Sequence, residues 1–167
     1  HHFAMTEDEI AGDDANYKMN PPLRSAADVE ALVDGLADGT MEAISTDHAP
    51  HGEEEKKQSI AKAPFGIVGS ETAYALSVTH LVKTGKLTPL QLVEKMSTNP
   101  CRILSVPGGT LSVGEPADIT IADMYSEYVI DKNTFLSKGK NTPFDGAKVN
   151  GRVYYTIVGG NIVYQYE

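Results

Sequence analysis

The sequence predicts an α/β protein: the closing turns of a TIM-type α/β barrel followed by strands of a small β module. Three observations lead there. In residues 1–107 the apolar positions recur mostly at helical spacing around one short candidate strand. From residue 108 to 167 the period falls to two, with turn residues between the runs. The chain has 167 residues, well short of the roughly 250 that a complete (β/α)₈ barrel takes.

Each element follows from local chemistry. Residues 6–15 are acidic and turn-rich, and Asn20-Pro21-Pro22-Leu23-Arg24 cannot be helical, because consecutive prolines remove donors and push their predecessors to extended conformations. Ser25 is placed to cap a helix over 26–36, where Val29, Leu32, Val33 and Leu36 share a face and Gly39 follows the end. Residues 41–46 are expected as a short strand centred on Ile44, running into Asp47-His48-Ala49-Pro50-His51. The stretch 52–69 is too polar at first and too broken later for a regular element, and is expected as a long loop. Helix returns over 71–84, with Ala75, Val78, Leu81 and Val82 on one face. A second helix starts at Thr88-Pro89 and is expected to break at Asn99-Pro100. Beyond Gly108, residues 110–114, 118–121, 153–158 and 161–164 are expected as strands, the last two joined by a Gly159-Gly160 hairpin turn.

Composition narrows the function. A formal charge of −9 and a pI near 5.0 argue against nucleic acid and against an anionic membrane surface. No apolar run approaches the roughly 18 residues of a membrane span. The single cysteine, Cys101, cannot form an internal disulfide, so nothing points to secretion and a cytoplasmic location is expected.

The pentamer Asp47-His48-Ala49-Pro50-His51 carries the strongest chemical signal. The end of a barrel strand is where catalytic groups collect, although a surface turn uses the same residue types. Pro50 makes a helix improbable, so the side chains of Asp47 and His51 diverge, which suits one metal ligand and one substrate ligand better than a chelating pair. Catalytic zinc needs about three protein ligands, and His1, His2 and His80 lack the strand-end context. Any metal site at Asp47 is therefore expected to be completed by residues outside this chain, which reads as part of an enzyme.

Seven segments in register then carry a resemblance: His1-His2-Phe3 with Thr6-Glu7-Asp8, Lys18 to Arg24, Ser45 to His51, Ala63-Pro64-Phe65-Gly66-Ile67, Gly109-Thr110-Leu111, Ala117-Asp118-Ile119, and Ser137 to Phe144. Together they resemble the C-terminal part of the dihydroorotases of the amidohydrolase superfamily. The resemblance implies a zinc-dependent barrel hydrolase that interconverts dihydroorotate and N-carbamoyl-L-aspartate in pyrimidine biosynthesis. It implies that Asp47 is a metal ligand which takes a proton from the nucleophilic hydroxide and passes it to the leaving amide nitrogen. It gives His51 and Asn20 the substrate's carboxylate and ring amide, helped by backbone groups around Ala63 and Gly66. The family's other metal ligands have no counterparts here; His1 and His2 read as structural and His48 as a neighbour of the ligand.

Rival readings stay open at this point. Hydantoinases, dihydropyrimidinases and allantoinases share the superfamily, but their substrates lack the ring carboxylate that His51, Asn20 and Arg24 would suit. A non-catalytic homologue serving as scaffold for a partner such as aspartate transcarbamoylase is a second alternative. The chain is expected to need its missing N-terminal part and to form homo-oligomers. Glu53-Glu54-Glu55-Lys56-Lys57 reads as a solvated loop face, and Cys101 as an inert thiol.

Overall fold

A computed structural model describes residues 1–166. Helix α1 (Ala26–Asp38) begins as expected: Ser25 Oγ accepts the N–H of Asp28, and the Asp28 carboxylate accepts the N–H of Ser25 at 3.2 Å. Gly39 ends it in a left-handed conformation, φ 90°. Only Val33 and Leu36 of its apolar face are buried, packed with Leu81 and Leu87, whereas Val29 and Leu32 are half-buried.

The expected strand over 41–46 does not form. The segment is extended but joins no sheet among the described residues, and its polar groups go to a helix instead. Ile44 N–H donates to Lys95 O at 3.0 Å, and Asn99 Nδ2 donates to Glu42 O at 2.8 Å. The reason lies in the helical run from residue 89, which also departs from expectation. Helix α4 (Pro89–Val93) passes through a π-helical turn (Glu94–Thr98) into α5 (Asn99–Leu104) without breaking at Asn99-Pro100. In the π turn Asn99 N–H bonds Glu94 O, and Pro100 has no N–H to offer, so Lys95 O is free for Ile44. The proline redirects one hydrogen bond and leaves the helix intact.

Between these elements lies the loop of residues 52–69, which contains one helical turn, α2 (Glu53–Lys56), where none was expected. Three carboxylates in its first turn suit the positive end of the helix, Gly52 N–H donates to Glu55 Oε2 at 2.7 Å, and Lys57 pairs with Glu53 at 3.0 Å. Helix α3 (Ala73–Ser77) runs into a second π turn (Val78–Val82), matching the helix expected over 71–84.

The β module is a three-stranded antiparallel sheet in the order β1 (Ile119–Val129), β2 (Lys148–Val158), β3 (Asn161–Gln165). Tyr155 stands opposite Ile121 and Gln165. The Gly159-Gly160 turn forms with φ of 54° and 82°, the left-handed pair that a two-residue hairpin favours. Residues 110–114 are not a strand: Thr110 and Ser112 bond each other's hydroxyls at 2.8 Å, and Leu111 is 81% exposed with no strand beside it among the described residues. β1 and β2 extend well beyond the expected runs, because bulges after Ile121 and around Asp123 to Glu127 reset the alternation that the period-two pattern relied on.

One core spans both parts of the chain, joining Met5, Met19, Ile67 and Leu76 to Phe144 and Val149. Gly151 allows it. At φ 100°, a Cβ there would lie 2.9 Å from Val78 Cβ and 3.2 Å from Tyr74 Cε1, so β2 meets α3 with backbone alone. Substituting Gly151→Ala should therefore lower stability by about 2 to 4 kcal/mol, combining backbone strain with overpacking. Gly114→Ala, also at positive φ but with nothing within 4 Å, should lose only about 1 kcal/mol. Urea unfolding midpoints of the two variants should separate accordingly.

Candidate active site

Asp47 stands at the end of the 41–46 segment with φ 46°, a left-handed turn that aspartate tolerates better than most residues. It is exposed, and its carboxylate makes no hydrogen bond among the described residues. The backbone then folds back towards the 63–70 stretch. His48 Nδ1 accepts the N–H groups of Gly69 at 3.1 Å and Ser70 at 3.2 Å, so that nitrogen is unprotonated and the ring proton sits on Nε2. Ala49 N–H donates to Ile67 O at 2.9 Å.

His51 is half-buried and held at two points. Its N–H donates to Asn141 Oδ1 at 2.9 Å, and its Nε2 lies 2.8 Å from Phe65 O. A carbonyl oxygen only accepts, so Nε2 carries the proton and Nδ1 is the nitrogen left to face a ligand. Glu55 Oε2 lies 3.9 Å from that Nδ1, showing that a carboxylate can approach from this side.

Gly66 meets this histidine closely. Its φ is 109°, and a Cβ would lie 2.5 Å from Ala49 Cβ and 3.7 Å from His51 Nε2, so a side chain is excluded. Both of its backbone groups are used. Its N–H donates to Lys18 O at 2.9 Å, while its oxygen accepts from Lys56 Nζ at 2.9 Å and Asn141 Nδ2 at 3.1 Å. The bond to Lys18 ties this loop to the segment bearing Asn20, whose side chain is exposed beside the cis Asn20-Pro21 peptide. Ala63 is buried, its N–H donating to Ser59 O at 3.0 Å. The structure thus joins His51, Gly66 and the Asn20 segment through a continuous set of bonds, with Asp47 four residues before His51 on the same turn.

Two residues at the site escaped the sequence reading. Lys56, taken there as part of a solvated charge run, is 8% exposed and donates to Pro64 O at 3.1 Å as well as to Gly66 O. Burial pushes its ammonium below the usual lysine range and Lys18 adds to that, with the Asp14 charge acting in the opposite direction. Nothing in a run of mixed charges says which member turns inward. Asn141 belongs to a segment noted only for its resemblance, and an asparagine in a polar run gives no burial signal.

As a metal site the arrangement is partial. Among the described residues no three His, Cys, Asp or Glu side chains converge to hold an ion, yet Asp47, exposed and without a partner, fits the role of a single ligand. A cavity of about 200 Å³ lies behind the 43–46 segment, with Leu32, Leu36, Ile67 and Leu76 in its wall. Neither Asp47 nor His51 lines it, which separates it from the polar site.

Comparison with known proteins gives a consistent picture. Residues 9–163 match the model of the family described as "Amidohydrolase family". The chain is 56% identical over 165 residues to the dihydroorotase of Bacillus licheniformis, covering 99% of this chain and 39% of that protein. It is 53% identical to the dihydroorotase of Bacillus subtilis strain 168, with the same coverage. Among solved structures it resembles the L-hydantoinase (dihydropyrimidinase) from Arthrobacter aurescens, with TM-score 0.88 and 33% identity over 98% of this chain and 38% of that one. The D-hydantoinase from a Bacillus sp. AR9 follows with TM-score 0.85 and 26% identity, again over 98% and 38%. The chain spans about two fifths of the length of these relatives, and its α/β architecture corresponds to the closing part of their TIM-type barrel with adjoining strands.

Lys56→Met keeps most of the buried volume and removes two donors. It should leave Pro64 O unpartnered and loosen the 57–68 stretch, a loss of about 1 to 3 kcal/mol for the orphaned carbonyl. Limited proteolysis should cut this stretch several times faster than in the unsubstituted protein while leaving the β module intact.

Proposed function

This chain belongs to the amidohydrolase family, and we propose that it forms the C-terminal part of a dihydroorotase, the zinc-dependent enzyme that reversibly hydrolyses dihydroorotate to N-carbamoyl-L-aspartate in pyrimidine biosynthesis. The observation that carries this reading is the 56% identity to a dihydroorotase along 99% of the chain, against 33% for the hydantoinase whose fold it shares.

Asp47 would supply one ligand to the zinc, the others coming from outside these residues. When bound, the ion would supply Lewis-acid chemistry, polarising the scissile carbonyl and lowering the pKa of water. Asp47 itself does proton work. Its carboxylate takes a proton from the attacking water and gives it to the amide nitrogen as the ring opens, acting as base and then as acid. An exposed carboxylate without hydrogen-bond partners is free to do both, since no other donor competes for its oxygens.

His51 meets the substrate's carboxylate. With Nε2–H spent on Phe65 O, the ring would meet a carboxylate through Nδ1, which bears an N–H only in the imidazolium form and which Glu55 already approaches. Asn20 supplies amide groups to the ring. Gly66 contributes by the close approach its missing side chain permits, and Ala63 by shaping the same loop.

In the full-length enzyme Asp47→Asn should abolish turnover while circular dichroism stays unchanged, because the amide keeps the shape and loses the base. His51→Ala should raise KM for dihydroorotate by about tenfold or more and change kcat less, as expected for a contact made before and during the reaction. An unchanged KM would transfer the site to a substrate without a carboxylate. Residues 1–167 alone should neither turn over dihydroorotate nor retain stoichiometric zinc after dialysis, with metal analysis and a carbamoyl-aspartate assay as the measurements.

A further inference from the structure

We infer that Asn141 is the positioning residue for substrate recognition, because one buried carboxamide fixes the backbone of both His51 and Gly66. The inference rests on the dihydroorotase reading for the identity of the substrate, but its geometry stands apart from it. Asn141 is 6% exposed. Its Oδ1 accepts His51 N–H at 2.9 Å, and its Nδ2 donates to Ala49 O at 2.9 Å and to Gly66 O at 3.1 Å. Both amide protons are used, one on each of two segments, adding to the bonds that already run between them from His48, Ala49 and His51. The main chain adds a fourth tie, since Asn141 O accepts Val68 N–H at 2.9 Å.

The seat of this side chain is built for it. A Cβ on Gly139 would lie 2.8 Å from Pro50 Cβ and 2.9 Å from both His51 N and Asn141 Oδ1, so only a glycine lets residues 139–141 lie against the 50–51 turn. The consequences of losing the carboxamide are unequal. Gly66 O keeps Lys56, and Ala49 N–H keeps Ile67 O although Ala49 O loses its donor, whereas His51 N–H loses its acceptor and only the ring bond to Phe65 O remains. Removing it frees the backbone of His51 at the one residue assigned to the substrate's carboxylate. Asp47, upstream of the retained Ala49 bond, is disturbed less. A residue acting in this way shifts KM more than kcat, and does so only while His51 is present.

The test uses the full-length enzyme carrying Asn141→Leu, which keeps most of the bulk and removes both the acceptor for His51 and the two donors. Asn141→Ser, whose side chain is too short to reach either loop, is made in parallel in case Asn141→Leu does not fold. In whichever variant folds, KM for dihydroorotate should rise by about tenfold or more with kcat changed by about threefold or less. Placed on a His51→Ala background, the same substitution should add less than about twofold to KM, the coupling expected of a residue that acts through another. Amide hydrogen exchange at His51, measured without substrate, should accelerate in Asn141→Ser. An unchanged KM, an effect that adds fully to that of His51→Ala, or unchanged exchange at His51 would each overturn the assignment. If the parent enzyme itself leaves dihydroorotate intact, the substrate reading fails while the exchange measurement still decides the role of Asn141.

Discussion

The arrangement of the candidate site depends on one buried carboxamide that must satisfy all its donors at once. Asn141 lies 90 residues after His51 and 75 after Gly66 in sequence, yet its hydrogen bonds close both loops onto one point. A buried amide left with an unused proton would cost about 1 to 3 kcal/mol. That penalty selects the single loop geometry in which Ala49 O and Gly66 O point at the same nitrogen. The glycines at 66 and 139 follow from it, since each stands where a Cβ would press against the 49–51 turn. Lys56 completes the arrangement by filling the second lone pair of Gly66 O.

The same economy of backbone groups places Asp47. In a barrel a strand is aimed by its ladder, but residues 41–46 are aimed here by the π turn (Glu94–Thr98) and helix α5. The free oxygen of Lys95, the amide of Asn99 and the guanidinium of Arg102, 2.6 Å from Glu42 Oε1, take the place of neighbouring strands. The exposed ion pair contributes little by itself. The backbone bond from half-buried Ile44 to buried Lys95, beside the cluster of Leu36, Leu81 and Leu87, holds the segment more firmly because water competes for it less.

These particulars explain what could be read from the chain and what could not. The helices at 26–38 and 73–82 and the glycine hairpin at 159–160 were legible because capping, helical spacing and positive φ act within a few residues. Asp47 and His51 were legible as a turn rich in chemistry after an apolar run. The run at 41–46 has the composition of a strand but lacks a partner strand among the described residues, and pairing is a property no local pattern contains. Pro100 signals a helix break in sequence, yet the π turn before it has already moved the hydrogen bond that a proline would destroy. Lys56 and Asn141 were illegible for a different reason: their roles are defined by carbonyls between 8 and 92 residues away.

Electrostatics gives the last step. The chain carries a net charge of −9, which disfavours approach of an anion such as dihydroorotate at long range, though salt screens that field within about 8 to 10 Å. What matters for binding is the charge inside that distance. Lys18 lies over the Phe65 ring at 4.6 Å from its centroid, and Lys56 sits directly beneath the Gly66 carbonyl. Being buried, the Lys56 ammonium acts through protein more than through water, so its field is screened less than that of a surface lysine. Lys18 and Lys56, which fix the loop, therefore also place positive charge along the Phe65-Gly66 stretch, opposite the Glu55 carboxylate 3.9 Å from His51 Nδ1. On the proposed dihydroorotase reading, that positive charge would favour a substrate carboxylate over an uncharged cyclic amide.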